Sequence, residues 1–245
     1  MKSARYLLAV VPGVVSLFAT SSAFAESKDV QSGDEGNVFT EQTSPVSNAL
    51  ELGVGAGYAQ GFGDVAKGRN TVHDFSGPGA AVEIDVGYRL SPQFMIGVYG
   101  TGSQFARGDS LADGTDVRSV TAGVQAQYHF RPSYTIDPWV GLSTGWRGMW
   151  LSPDVGKDTS LQGLELARLQ VGADYRISPE IAIAPVIGAD LSMYLSENGP
   201  GLSGYTNISD PRVNTTLFAG VAARFDVLGK TGSTAAASTA STASF

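Results

Sequence analysis

Two histidines and a scatter of carboxylates are the side chains in this chain best suited to acid–base or metal chemistry. His73 lies in "VHDFS", with Asp74 beside it and Ser76 close behind. A serine, a histidine and an aspartate can make a hydrolytic set, but only when folding aligns hydroxyl, imidazole and carboxylate. His129 follows a tyrosine in "YHFRP" and reads as a polar interior residue. Asp109, Asp113 and Asp116 crowd the glycine-rich stretch "RGDSLADGTDV". Oxygen-rich loops can bind Ca²⁺, yet this spacing does not fit a calcium-binding helix–loop–helix, and acids also simply solvate a loop. No H-E-x-x-H or phosphate-binding glycine loop is present. With no cysteine there is neither a disulfide framework nor a thiolate metal site. The expected site is therefore empty: no catalytic residue, no cofactor, no metal.

The elements around these residues are strands. A frame of Tyr-x-apolar-x-Pro occurs three times: "YRLSP" from Tyr88, "YHFRP" from Tyr128 and "YRISP" from Tyr175. Repeats at such spacing mark one supersecondary unit used again. Apolar residues alternate on even positions over 50–58, 80–90, 94–98, 120–130 and 138–146. They alternate on odd positions over 167–177, 181–193 and 215–225. A period of two marks strands. Helix is a poor alternative, because glycine recurs at every second position in "ELGVGAGYA" and each would cost about 1 kcal/mol there. Pro185 falls inside a strand and predicts a local bulge.

One face of these strands carries no charge. The other is rich in glycine and holds Glu51, Glu83, Asp85, Arg89, Arg147, Arg168, Asp174, Arg176, Asp190 and Arg224. A soluble, lipocalin-like barrel would turn the apolar face inward and leave this glycine-rich face, free of lysine, in water. Lysine is the usual guard of exposed strands. Five acids and five arginines cancel, which suits a narrow lumen where guanidinium meets carboxylate. The apolar face therefore points to lipid, and a lipid span demands a closed barrel. Tyr88, Tyr128 and Tyr175 then form an aromatic girdle, with Phe94, Phe130 and Trp139 nearby. Short turns at 91–93, 131–137 and 178–180 oppose long loops at 61–78, 102–116, 148–164 and 195–212. That asymmetry puts the short turns in the periplasm and the long loops outside.

Residues 1–25 read as a cleaved secretory signal: Lys2 and Arg5, an apolar core over 6–18, and Ala23-Phe24-Ala25 before the cut. Residues 26–48 read as a flexible periplasmic leader, 49–226 as the barrel, and 227–245 as a disordered Ser/Thr/Ala-rich tail. A net charge of −7, made more negative by loss of Lys2 and Arg5, disfavours nucleic acid as a partner. No later stretch is apolar and long enough for a transmembrane helix.

These features resemble the OmpA/OmpX/OmpW-like eight-stranded outer-membrane β-barrels of Gram-negative bacteria. The fold class expected is all-β: an eight-stranded antiparallel up-and-down transmembrane β-barrel over residues 49–226. The last strand also carries "FAGVAARF", which matches the family's assembly signal at Phe218, Gly220, Ala223 and Phe225. The resemblance implies recognition by the barrel-assembly machinery, residence in the outer membrane and contact with outer-membrane lipid and lipopolysaccharide. In the family the signal usually ends the chain, whereas here residues 226–245 follow it. The function expected is structural and surface-exposed, non-enzymatic, with a largely closed lumen. The alternatives are a narrow porin-like channel for small or apolar solutes and, more weakly, a barrel enzyme modifying lipid A.

Overall fold

The structure, a computed structural model, describes residues 47–69 and 71–228. The expected signal segment, most of the leader and nearly all of the tail lie outside them. The strands are β1 (Ala49–Phe62), β2 (Ser76–Arg89), β3 (Phe94–Arg107), β4 (Asp116–His129), β5 (Ile136–Ser152), β6 (Thr159–Ser178) and β7 (Ile181–Asn198). A two-residue strand β8 (Thr206–Asn207) and the closing strand β9 (Val213–Val227) follow. Eight long strands pair with their neighbours, all antiparallel, and β1 pairs with β9 from Leu50–Val227 to Phe62–Thr215. The barrel is closed. The only helix among the described residues, α1 (Val72–Phe75), is one turn, and none is long and apolar enough to cross a membrane.

The alternation is realised inside out. Leu52, Val54, Ile84, Val98, Val124, Leu142, Val171, Ile187 and Val221 are all exposed on the outer face. Glu51, Arg89, Gln125, Arg147, Arg168, Asp174 and Arg224 are buried within. Tyr88, Tyr128 and Tyr175 ring the short-turn end with Phe94 and Phe130; Tyr128 and Phe130 meet edge to face at 5.2 Å. Tyr58, Phe62 and Trp146 ring the other end, with the Trp150 ring 6.2 Å from that of Trp146 and tilted 60° to it. From Leu50 to Tyr58, about 3.4 Å per residue on a strand tilted about 40° gives a height of roughly 20 Å. That is close to the apolar band, roughly 25 Å tall, of a membrane barrel.

Four expectations need correction. Trp139 does not belong to the girdle. It is an odd residue on a strand whose even residues face out, and it is 3% exposed inside the lumen. The strands also outlast the apolar alternation, so the long connections shrink to 63–75, 108–115, 153–158 and 199–212. Alternation marks only the part that faces an apolar medium, while polar residues such as Ser103–Ser119 go on pairing above it. Pro185 makes no bulge: β7 keeps one register along β9 from Ile181 to Met193. Its missing N–H instead leaves the β6 ladder unpaired between Gly172–Val186 and Tyr175–Ile183. The bulge lies in β6, between Glu165 and Ala167, where the parity of the outward residues switches from Leu164 and Leu166 to Leu169 and Val171. The fourth correction, the charge balance of the lumen, belongs with the site below.

Glycine serves close approach. Gly57 faces Gly220 across the β1–β9 seam, and Gly123 faces Gly145 across β4–β5. A Cβ on Gly57 would collide with the Ala219 carbonyl and lie 2.6 Å from the Gly220 Cα. Such glycine kinks let strands coil tightly enough to close a small barrel. Gly57→Val should therefore cost about 1–3 kcal/mol of overpacking. Gly55→Ala, whose new methyl would meet the Val221 carbonyl at 3.6 Å, should be tolerated. Urea midpoints in lipid vesicles, read from the gel mobility of the folded form, separate the two. Equal midpoints would refute the role given to the Gly57–Gly220 pair.

Candidate functional site

The period-two rule sets the residue after each girdle tyrosine inside the barrel, and this is where the repeat acts. Arg89, His129 and Arg176 follow Tyr88, Tyr128 and Tyr175 and project into the short-turn end of the lumen, where all three are buried. Arg89 and Arg176 each donate to the carbonyl of their own turn proline, Pro92 at 3.3 Å and Pro179 at 3.5 Å. Both also reach one carboxylate on β9. Arg89 Nε lies 3.5 Å from Asp226 Oδ1, and Arg176 Nη1 lies 3.4 Å from Asp226 Oδ2. Arg89 also pairs with Glu51. Arg224 joins this lower layer, 3.6 Å from Glu51 and 3.7 Å from Asp174, with its guanidinium 4.1 Å over the Trp139 ring.

His129 completes the lower layer. Its Nδ1 is 2.7 Å from Asp137 Oδ2, and its Nε2 is 3.4 Å from Arg224 Nη1. Arginine only donates, so Nε2 accepts and Nδ1 carries the proton to Asp137. Asp137 Oδ1 accepts from the Arg131 backbone N–H at 3.0 Å. Among the described residues, His129, Asp137 and Asp174 form the one cluster whose ligand atoms lie close enough for a single ion, within 4.8 Å. The hydrogen bonds spend the imidazole on both nitrogens, and two guanidiniums already approach Asp174. The cluster is accounted for by its own protons and charges.

An upper layer crosses the lumen higher up. Arg168 pairs with Glu83, lies 3.2 Å from Asp190, and donates to Thr101 Oγ1 at 3.1 Å. Arg147 donates to Ser192 Oγ at 3.0 Å and stands 3.8 Å from Asp190. The Tyr99 hydroxyl donates to Glu165, and the Arg168 guanidinium lies 5.1 Å over the Tyr99 ring. Between the layers the cavity beside Glu83, Asp85, Gln127, Trp139 and Arg224 is about 10 Å³. That is room for about one water molecule. Two of the interior glycines are covered by side chains: the space over Gly53 is taken by Asp85, and that over Gly87 by Met95.

Above the upper layer the lumen turns apolar. The first loop folds inward and buries Val65, Ala66, Val72 and Phe75 against Val117, Met149, Leu161 and Tyr194. Arg212 N donates to the Val65 carbonyl at 3.0 Å, and Val72 N to the Gly63 carbonyl at 2.8 Å. Beside this plug a pocket of about 450 Å³ opens at the long-loop end, with Arg69 and Glu197 paired at 2.6 Å on its lining.

The hydrolytic set does not assemble. Asp74 caps α1, accepting from the Thr71 backbone N–H at 2.7 Å. His73 is exposed, with its Nδ1 3.1 Å from Gln60 Nε2, and Ser76 is fully buried. The acids of the second loop do not converge either: Asp113 pairs with Arg107 at 2.9 Å and Asp116 with Arg118 at 3.0 Å. Every charge expected in the lumen is there, but the balance is not neutral. Asp137, Glu165 and Asp226 join the five expected acids, so eight carboxylates face five guanidiniums. Asp137 finds His129 and Glu165 finds Tyr99, neutral donors that sustain the surplus.

Fold and site together define an inside-out, eight-stranded antiparallel barrel whose interior is filled by two ion-paired layers and an apolar plug. The chain is similar in architecture to solved eight-stranded outer-membrane barrels. Neisserial surface protein A is 15% identical, with 72% of this chain and 96% of that one covered at a TM-score of 0.46. OprG from Pseudomonas aeruginosa is 10% identical, with 74% and 98% covered at 0.44. The outer membrane protein AlkL, in lipid bilayers, is 13% identical, with 85% and 100% covered at 0.48. Comparisons with protein families and with curated proteins returned no match.

Proposed function

We propose that this chain is an integral outer-membrane barrel with a structural, surface-exposed and non-enzymatic role, and that its lumen is closed to solutes. One observation carries the reading: an apolar outer wall encloses a lumen filled from side to side by Arg–carboxylate layers and plugged by the first loop. An open barrel edge or an unpaired backbone cannot stand in hydrocarbon, so closure and an apolar exterior together fit a membrane span. The match of "FAGVAARF" to the assembly signal favours delivery by the barrel-assembly machinery; that segment lies on β9 along the closing seam. Contact with outer-membrane lipid and lipopolysaccharide belongs to the same reading, and the exposed apolar wall supports it.

Planar-bilayer recording tests the closed lumen. The wild-type barrel should show no steady single-channel openings. The double variant Arg147→Ser, Arg168→Ser, which thins the upper layer alone, should stay silent too, because the lower layer of Arg89, Arg176 and Arg224 and the first-loop plug still close the lumen. Steady wild-type openings would overturn this reading and favour the narrow channel.

A further inference from the structure

We propose that the outer mouth of the barrel is a blind binding pocket for a small neutral amphiphile, an aliphatic or aromatic body bearing a hydroxyl or amide head. The pocket of about 450 Å³ lies within the range of small-ligand sites. Its wall is built by Val65, Phe75, Leu111, Leu151 and Leu161, from two loops and the tops of β5 and β6. An apolar wall of this size buries hydrocarbon and leaves polar selection to the few polar groups on the lining. Those groups are Ser110, Thr159 and one ion pair. Arg69 Nη1 donates to Glu197 Oε2 at 2.6 Å, and Arg69 is half exposed. The pair leaves further guanidinium N–H groups to donate and a second carboxylate oxygen to accept. A hydroxyl or an amide satisfies both at once. A carboxylate head would be repelled by Glu197, and an ammonium head by Arg69.

The pocket is blind because the plug closes its floor: Val65 and Phe75 pack against Met149 and Tyr194, above the Arg147 layer. A ligand therefore enters and leaves from the loop side. Binding here is independent of the closed-lumen reading, since a conducting barrel can hold a ligand at its mouth and a silent one can lack it.

The test uses the mature chain in lipid nanodiscs with methyl-labelled leucines, titrated with 1-octanol. Leu111, Leu151 and Leu161 methyls should shift and saturate, whereas lipid-facing Leu142 and Leu169 should drift without saturation as alcohol enters the bilayer. Leu161→Trp, which fills the cavity, should abolish the saturable shifts while leaving the lipid-facing drift. Octanoate should bind about tenfold more weakly than 1-octanol, and Glu197→Gln should remove most of that difference. Pocket methyls that never saturate, or that saturate equally in Leu161→Trp, would overturn the site. Octanoate binding as tightly as 1-octanol to the wild type would overturn the assignment of a neutral head.

Discussion

Arg224→Met should destabilise the folded barrel by about 3–5 kcal/mol, the usual cost of stripping one partner from a buried ionic network. Arg224 is 6% exposed and holds three groups together: Glu51 at 3.6 Å, Asp174 at 3.7 Å and the His129 Nε2 at 3.4 Å. Methionine fills much of the space over Trp139 but supplies no donor. Glu51 would retain Arg89, while Asp174 would retain only Arg176 at 4.0 Å and His129 Nδ1 at 3.8 Å. The uncompensated carboxylate at Asp174 is the main loss, since neither of its oxygens has a hydrogen bond. The companion Asp174→Asn should recover part of the stability in the double variant, a coupling that a mere packing defect would not show. Urea unfolding in lipid vesicles reads both. A loss under about 1 kcal/mol would mean that water enters the layer and screens its charges, and the filled-lumen description would fail.

The alternation of apolar and charged residues was enough to read the barrel, its polarity and most of the lumen, because period two is a local property that closure does not alter. The same rule, carried to the end, places Trp139 inside; proximity to a turn misassigns it to the girdle. Asp137 and Asp226 lie just past the ends of the apolar runs, where the pattern stops but pairing continues. Glu165 sits at the β6 bulge, and a bulge erases the parity that would have flagged it. Arg89, His129 and Arg176 were recoverable from the repeat itself, as the inward neighbours of three outward tyrosines. That Arg89 and Arg176 converge on Asp226 was not, because this depends on which strands meet across the lumen. The apolar plug was invisible for the same reason. Val65, Val72 and Phe75 have no periodicity, and only the mouth of the closed barrel gives them partners.

Val124→Arg should impair folding into the membrane by about 2–4 kcal/mol, the range for a cation on the lipid face near the midplane. Val124 is 57% exposed on the outer wall, and its flanking partners across the two seams are Val98 and Thr144, both uncharged. Nothing there can receive a guanidinium, and its only relief is to reach toward an interface. Gln125→Arg moves the same charge by one residue and reverses its surroundings. Gln125 is buried in the lumen and faces Asp85, whose Oδ1 has no hydrogen-bond partner in a lumen already rich in carboxylates. An arginine there adds bulk to a filled interior but gains an acid to pair with. Its folding yield into lipid vesicles should therefore stay well above that of Val124→Arg. The contrast isolates orientation from charge, because both variants carry the same side chain at adjacent positions of one strand. Equal losses would mean that the two faces of β4 meet the same medium, which no closed barrel with an apolar exterior allows.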